Sequence, residues 1–205
     1  DKDDPTLHES DVPPTTRFLV DNYGDSDEMS VGHRIMFFDI EVEVTDGFPD
    51  VQKAQNVITS IALYDCITEK YFTYCFDPEK RIKSYTKDDE VVEFYDTEYE
   101  MLNKFFQKYL EIRPTIVSGW NSEFFDIPYL YNRAVRILGP EVANLLSPIS
   151  QVLYSEYKKK HTIAGVSSLD YLQLYRQFTF GQKSSYRLDY IGEVEVGMKK
   201  VEYEG

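Results

Sequence analysis

Apolar and polar residues alternate along residues 35–44, with a period of two. This alternation predicts a β-strand that has one face against a core and one face away from it. Three carboxylates share one of these faces; the first face holds Phe37, Asp39, Glu41 and Glu43, and the second holds Met36, Phe38, Ile40, Val42 and Val44. Residues 57–64 and 70–76 form two more apolar runs around a short polar turn, which predicts an antiparallel meander.

After this meander, the apolar residues of segment 98–111 recur at the spacing of an α-helix, which predicts a helix there. Its apolar stripe consists of Leu102, Phe105, Phe106, Tyr109 and Leu110, and Thr97 with Glu100 has the spacing of a capping box. Residues 115–118 predict a short buried strand, and residues 127–138 predict a second helix that Gly139-Pro140 ends. The rest predicts a short helix at 141–146, a β-hairpin at 152–157 and 161–164, and helices at 169–178 and 188–195.

Three segments lack a clear core-facing stripe. Residues 1–15 are acidic and rich in proline, which predicts a linker or the edge of another domain; residues 17–20 predict a short strand, and residues 77–90 a charged loop. The order of strands and helices predicts an α/β fold in which helices flank a mixed sheet, with an inserted hairpin. We therefore divide the chain into a linker or domain edge at 1–30 and one domain at 31–205.

The negative charge is concentrated at the start of the chain. The first 50 residues hold 14 Asp/Glu and 3 Lys/Arg, whereas the whole chain has a net charge of −14. An acidic chain is not typical of an autonomous nucleic-acid binder, because binding to the phosphate backbone normally depends on Lys and Arg. Cys66 and Cys75 lack the spacing of a metal site and are expected to be free buried thiols. No apolar run predicts a membrane span. We therefore expect a soluble, cytoplasmic protein.

Asp39, Glu41 and Asp126 are the candidate catalytic residues. Asp39 and Glu41 lie two residues apart on a predicted strand, so their side chains share a face about 7 Å apart, although simple solvation of that face also explains them. Asp126 follows a buried strand at the start of a helix, where an N-cap is the alternative explanation. Carboxylates from two neighbouring strands can converge on one edge of a sheet, and hard oxygen ligands suit Mg²⁺ or Mn²⁺.

Three blocks carry a resemblance to a known family: Phe38-Asp39-Ile40-Glu41-Val42, Asp46-Gly47-Phe48-Pro49, and residues 119–129 with Gly119-Trp120-Asn121 and Phe125-Asp126-Ile127-Pro128-Tyr129. They resemble the first two exonuclease motifs of family B DNA polymerases, in particular those of T-even-like bacteriophages. The likeness continues in the same order through Tyr131-Asn132-Arg133, residues 145–148, residues 169–175 and residues 185–191.

The resemblance implies a ribonuclease-H-like fold and a 3′-5′ proofreading exonuclease that uses two Mg²⁺ or Mn²⁺ ions. Asp39 would bridge the two ions, Glu41 would bind one and position the attacking water, and Asp126 would hold the second. The implied partners are the 3′ end of single-stranded DNA, the other polymerase domains and a sliding clamp; the protein would act in the cytoplasm of a host cell if a phage encodes it.

The resemblance also implies DNA contacts for six residues: Phe48, Asn121, Phe125, Lys158, Lys159 and Lys160. Phe48 would wedge against the terminal bases, Asn121 and Phe125 would contact the strand, and the lysines would lie at the hairpin tip. Each has a structural alternative: a plug in a Gly-Phe-Pro turn for Phe48, a core position for Phe125, a turn former for Asn121 and a solvated turn for the lysines. Other functions consistent with the sequence are a stand-alone exonuclease, a non-catalytic strand-binding module and an acidic protein-interaction domain.

The family pattern includes a third motif, Tyr-x-x-x-Asp, downstream of the second. Two segments match its spacing, Tyr23 to Asp27 and Tyr85 to Asp89, but both precede the second motif. We therefore expect one carboxylate and one tyrosine of the site to be missing from residues 1–205.

Residues 1–205 are expected to have little or no nuclease activity, because loss of a ligand weakens both metal binding and alignment. The measurement is shortening of 5′-labelled single-stranded DNA in the presence of Mg²⁺. Degradation at a rate that Asp39→Ala abolishes would contradict this expectation.

Overall fold

The computed structural model describes residues 12–45 and 47–199. Most of the predicted N-terminal linker, Asp46 of the second block, and residues 200–205 lie outside the described residues. The chain divides into two compact units, Asp1–Gly32 and His33–Gly205.

The first unit contains helix α1, Pro14–Tyr23, so the strand predicted at residues 17–20 is wrong. Local contacts explain the helix: Pro14 occupies the first turn, Arg17 lies 3.5 Å from Asp21, and the Asn22 amide donates to the carbonyl of Phe18. No residue of α1 is buried.

The second unit is built on a seven-stranded mixed sheet. Its strands are β1 Ile35–Val42, β2 Ile58–Asp65, β3 Lys70–Phe76, β4 Tyr85–Lys87, β5 Glu90–Tyr95, β6 Ile116–Gly119 and β9 Ser167–Asp170. The strand order is β4-β5-β3-β2-β1-β6-β9; β1 and β2 are antiparallel, whereas β1, β6 and β9 run parallel. This order, with the helices described next, is the α/β arrangement that the sequence pattern predicts and the ribonuclease-H-like fold that the resemblance implies.

The helices and the hairpin complete this unit. They are α2 Glu98–Ile112, α3 Asp126–Ile137, α4 Pro140–Ala143, a 3-10 turn Asn144–Leu146, the hairpin strands β7 Val152–Ser155 and β8 Lys160–Ile163, α5 Tyr171–Phe178 and α6 Leu188–Val196. The predicted cap of α2 is confirmed, because the Thr97 hydroxyl accepts the N–H of Glu100 at 3.2 Å. None of the helices within the described ranges is long and apolar enough to cross a membrane.

Two strands lie where the sequence predicted other structure. The segment predicted as a loop at residues 77–90 contains β4 and the start of β5, because Val91, Val92 and Phe94 pair in parallel with β3. Leu169 and Asp170, predicted to begin a helix, belong to β9, which pairs with β6. Parallel partners are distant in the sequence, so a local pattern does not reveal them.

The core lies between the sheet and helices α2 and α3. The sheet contributes Met36, Phe38, Ile40, Ile61 and Leu63, and the helices contribute Leu102, Phe105, Phe106, Tyr109, Ile127, Leu130 and Ala134. Cys66 and Cys75 are free thiols, as expected, although both are only partly buried; burial raises the pKa of each.

A buried ion pair crosses this core. Arg133 of α3 and Glu98 of α2 meet through two contacts, 2.8 Å from Nε and 2.5 Å from Nη2, and both residues are less than a tenth exposed. Glu98 also accepts the N–H of Ile58, at 2.9 Å. The pair therefore joins two helices to the beginning of β2.

Two buried tyrosines differ in whether the hydroxyl group has a hydrogen-bond partner. This difference predicts different effects on stability when each tyrosine is replaced by phenylalanine. Tyr74 is fully buried, and its hydroxyl has no hydrogen-bond partner among the described residues, whereas the Tyr109 hydroxyl donates to the carbonyl of Leu146 at 2.8 Å. We expect Tyr74→Phe to leave the free energy of unfolding unchanged or raise it by up to ~1 kcal/mol, and Tyr109→Phe to lower it by ~1–2 kcal/mol. Urea denaturation measures both; a larger loss for Tyr74→Phe than for Tyr109→Phe contradicts the assignment.

Candidate functional site

The candidate site lies at the point where strand β6 stops pairing with β1. The register of β1 with β6 extends from Ile35↔Ile116 to Phe37↔Ser118, and β6 ends at Gly119. A Cβ atom on Gly119 would lie 2.6 Å from the carbonyl oxygen of Phe38, so only glycine permits this close approach. Asp39 follows directly after the position where the two strands separate.

Asp39 and Glu41 lie on the exposed face of β1. Phe38 and Ile40 alternate with them and are buried. The predicted face assignment is therefore confirmed for residues 36–41, whereas β1 ends at Val42 and the predicted buried position of Val44 is wrong, because this side chain is 68% exposed.

Asp126 contacts β1 from helix α3. It is the first residue of α3 and only 3% exposed, and its Oδ1 accepts the backbone N–H of Ile40 at 3.1 Å. The cap position belongs to Phe125, which makes no side-chain capping bond, so the N-cap interpretation of Asp126 is wrong. Asp126 satisfies a strand N–H beyond the end of the β1–β6 register, which a local sequence pattern could not indicate.

Burial and a neighbouring negative charge both act on Asp126. Burial raises the pKa of Asp126 to about 7, the negative charge of Asp39 adds to this shift, and the hydrogen bond from Ile40 opposes it. Asp126 therefore binds the N–H of the residue that follows Asp39 and is affected by the charge of Asp39.

The described residues do not place three possible metal ligands together at Asp39 and Asp126. Among the described residues, no group of three or more His, Cys, Asp or Glu side chains is arranged to hold a metal ion. The metal-binding roles of Asp39, Glu41 and Asp126 thus stay predictions.

Asp170 is a residue of this region to which the sequence pattern assigned no role. It lies at the end of β9, is 3% exposed, and its carboxylate accepts four backbone N–H groups, those of Asn121, Glu123, Leu172 and Gln173, at 3.1, 3.1, 2.9 and 3.4 Å. It caps α5 and anchors the loop between β6 and α3 at the same time. The predicted helix at 169–178 included this residue, whereas α5 begins at Tyr171 and Asp170 is its N-cap, a role that aspartate favours; its second set of partners is not local.

Asn121 shapes the loop that Asp170 anchors. Its φ is +64°, in the left-handed region that asparagine tolerates, and its carbonyl accepts the N–H groups of Phe124 and Phe125. The turn-former interpretation therefore describes its backbone, and its contact with DNA stays a prediction.

Two phenylalanine rings meet at the start of α3, where Phe125 directly precedes Asp126. Phe48 is 81% exposed, and its ring centroid lies 5.2 Å from that of Phe125, which in turn lies 5.6 Å from the ring of Tyr129. Phe125 packs partly against the core, as its structural alternative expects, while it also supports Phe48. An exposed ring held at this position is the feature that an aromatic binding surface requires.

The three lysines of the hairpin differ in position. Lys158 and Lys159 lie in the turn between β7 and β8, with Lys159 3.5 Å from Glu156, whereas Lys160 is the first residue of β8. The ammonium of Lys160 lies 2.9 and 3.0 Å from the two carboxylate oxygens of Glu123. Lys160 therefore ties the hairpin to the loop that Asp170 anchors, and does not extend the basic tip.

The raised pKa of Asp126 predicts a pH-dependent stability. Below an unfolded pKa of about 3.8, Asp126 is protonated in both the folded and unfolded states; as the pH rises towards 7, only the unfolded state ionises freely, so this group's contribution to stability is lost. Asp126→Asn, which keeps an oxygen acceptor for Ile40, should therefore be more stable than the wild type at pH 8 in EDTA by ~1–4 kcal/mol, and the difference should vanish near pH 4.

Urea denaturation at several pH values measures this difference. Asp50→Asn is the control of opposite sign, because backbone hydrogen bonds lower the pKa of Asp50 and its substitution should destabilise the protein at pH 8. A pH-independent difference between Asp126→Asn and the wild type would show that Asp126 is ionised normally.

Comparison with known proteins gives concordant matches. A sequence model described as the exonuclease domain of DNA polymerase family B matches residues 24–191. The DNA-directed DNA polymerase of Escherichia phage RB69 is 34% identical over 201 residues, covering 84% of this chain and 22% of the relative, and that of Enterobacteria phage T4 is 33% identical over 193 residues, covering 80% and 22%. DNA polymerase 1 of Saccharolobus solfataricus is 30% identical over 177 residues, covering 80% and 18%. The chain thus spans about a fifth of the length of these relatives.

Proposed function

This chain belongs to the exonuclease-domain family of family B DNA polymerases, and from this premise we propose that it is the 3′-5′ proofreading exonuclease portion of a replicative polymerase. Its reaction would be hydrolysis of the 3′-terminal phosphodiester of single-stranded DNA. Because the chain covers only about a fifth of its relatives, this activity is proposed for the domain in its parent protein.

The placement of buried Asp126 against β1 is the observation that carries the proposal. Its carboxylate accepts the N–H of Ile40, the residue that follows Asp39, and the negative charge of Asp39 contributes to the raised pKa of Asp126. A divalent cation between these two carboxylates would relieve both the repulsion and the cost of burial, and carboxylate oxygens are the donors that Mg²⁺ and Mn²⁺ take. The pair therefore fits the metal dependence that is general in this family.

Asp39, Glu41 and Asp126 would hold two Mg²⁺ or Mn²⁺ ions. When bound, these ions would neutralise the charge that develops on the phosphodiester and favour a nucleophilic water. Glu41, on the same face of β1 as Asp39, would orient that water. Asp126 would be ionised in this state, whereas burial favours its protonated form when no cation is near.

The aromatic pair beside these carboxylates would hold the single strand. The exposed ring of Phe48 and the ring of Phe125 offer stacking faces to the terminal bases, and stacking tolerates every base, as proofreading requires. Asn121 would contact the same strand. Lys158 and Lys159 at the hairpin turn would contact phosphates, and Lys160 would act by holding the hairpin to Glu123.

The acidic composition supports a domain that acts within a larger protein. A net charge of −14 disfavours strong independent binding to DNA, so basic surfaces of the remaining polymerase domains would supply most of the affinity. A sliding clamp would act through the same parent protein. The cytoplasm of the host cell is the proposed location if the parent polymerase is phage-encoded.

Metal titration tests this proposal against a non-catalytic strand-binding module. Calorimetric titration of Mn²⁺ should detect a site whose affinity falls about tenfold or more in Asp39→Asn, because the substitution removes a charged ligand. Asp126→Asn should weaken the same site. Glu90→Gln, an exposed carboxylate on β5, is the matched control and should leave the affinity unchanged.

The outcomes separate the two functions. Mn²⁺ affinity that responds equally to Asp39→Asn and Glu90→Gln means diffuse binding to an acidic protein, and argues for the non-catalytic module. Loss of affinity confined to Asp39 and Asp126 supports the nuclease.

A further inference from the structure

Three side chains of helix α3 make four hydrogen bonds to the loop that follows β1. The Tyr129 hydroxyl donates to the carbonyl of Asn56 at 2.9 Å, and the Asn132 amide donates to the carbonyl of Val51 at 2.9 Å. Arg133 donates to the carbonyls of Ala54 and Gln55, at 3.2 and 2.6 Å. One helix therefore binds four backbone carbonyls of a single loop.

The loop has a defined internal structure between these contacts. Asp50 accepts the N–H groups of Gln52 and Lys53, and the N–H of Ala54 donates to the carbonyl of Asp50. Ala54 is fully buried with a φ of +42°, a conformation that an alanine keeps only when its surroundings hold it. The loop is thus held on α3 in one conformation.

Phe48 lies at the beginning of this loop, and Phe125 lies at the beginning of α3. The two rings meet at 5.2 Å, while Phe48 keeps 81% of its surface exposed. An exposed ring has little core contact to hold it, so its position depends on the backbone that carries it. Phe125 directly precedes α3, and α3 binds the loop that carries Phe48, so the positions of both rings depend on the same helix.

We propose that Tyr129 and Asn132 are positioning residues that hold Phe48 against Phe125, so that a preformed pair of rings receives single-stranded DNA. This proposal rests on the proposed strand-binding function. Pre-ordering the loop removes an entropic cost from binding, and the bonds that order it come from side chains of α3.

Arg133 contributes to the same contact but is unsuitable for the test. It also pairs with buried Glu98, so its substitution would leave the charge of Glu98 buried and unpaired, which is strongly destabilising. Asn132 and Tyr129 are uncharged at neutral pH, so each can be changed singly without leaving a buried charge unpaired.

A double-mutant cycle tests the proposal on this chain. Binding of a fluorescent single-stranded oligonucleotide is measured by anisotropy at low salt in EDTA, where metal-dependent cleavage does not proceed. Phe48→Ala and Asn132→Ala should each raise Kd about fivefold or more, and Tyr129→Phe should act in the same direction. In the Phe48→Ala background, Asn132→Ala should change Kd by less than about twofold, because its effect passes through Phe48.

Three matched controls exist in the same chain. Asn103→Ala removes an amide-to-carbonyl bond of the same length within α2, and Tyr131→Phe removes a hydroxyl bond to Asn144 from α3. Phe180→Ala removes a fully exposed ring after α5. None of the three should change Kd by more than about twofold.

Two results would overturn the proposal. The first is an Asn132→Ala effect of equal size in the wild-type and Phe48→Ala backgrounds, which indicates a general structural role. The second is hydrogen exchange of the amides at residues 50–56 that is no faster in Asn132→Ala than in Asn103→Ala, because the loop is then held without Asn132. If the wild type binds no oligonucleotide, the strand-binding function itself fails, and hydrogen exchange still decides whether Asn132 orders the loop.

Discussion

The buried pair of Glu98 and Arg133 is the constraint on which the arrangement of the domain depends. Arg133 uses its remaining donors on two carbonyls of the loop after β1, and Glu98 accepts an N–H at the start of β2. Two helices, one strand and one loop are therefore joined through two side chains. Removing either partner would leave the other charge buried and unpaired, at a cost of about 3–5 kcal/mol, so the contact between α2 and α3 requires both side chains.

The geometry of the site follows from how α3 is held. With α3 fixed at Arg133, its first residue, Asp126, meets β1 where β6 has already ended. The missing Cβ of Gly119 allows β6 to approach β1 closely before it turns away. Asp126 takes over a hydrogen bond that a longer strand would have made, which places a buried carboxylate beside Asp39. The crowding of negative charge is thus a consequence of strand length and helix placement.

A second buried carboxylate organises the other side of the site. Asp170 accepts N–H groups from the β6–α3 loop and from the first turn of α5, so the loop and α5 share one anchor. Through Glu123, the same loop holds Lys160 and thereby the hairpin. Phe125, at the end of this loop, is consequently supported from two elements, β9 through Asp170 and β8 through Lys160. Aromatic surfaces that bind flexible strands gain from such support, because the cost of ordering them is met during folding.

Local sequence and tertiary packing determined different parts of this protein. The two-residue period of β1 placed Asp39 and Glu41 on one face, the helical stripe and cap defined α2, and the motif blocks indicated the family with which the match over residues 24–191 agrees. These features depend on neighbours in the chain, so periodicity and turn chemistry encode them. Only the tertiary structure decided the parallel pairing of β5 with β3, the bond from Ile40 to Asp126, and the contacts of α3 with the Phe48 loop. In each case a polar group of one element forms its hydrogen bond with an element that is distant in the sequence. A local sequence pattern carries no information about such a partner. The identity of the candidate residues was therefore encoded locally, whereas their protonation, support and mutual approach came from long-range packing.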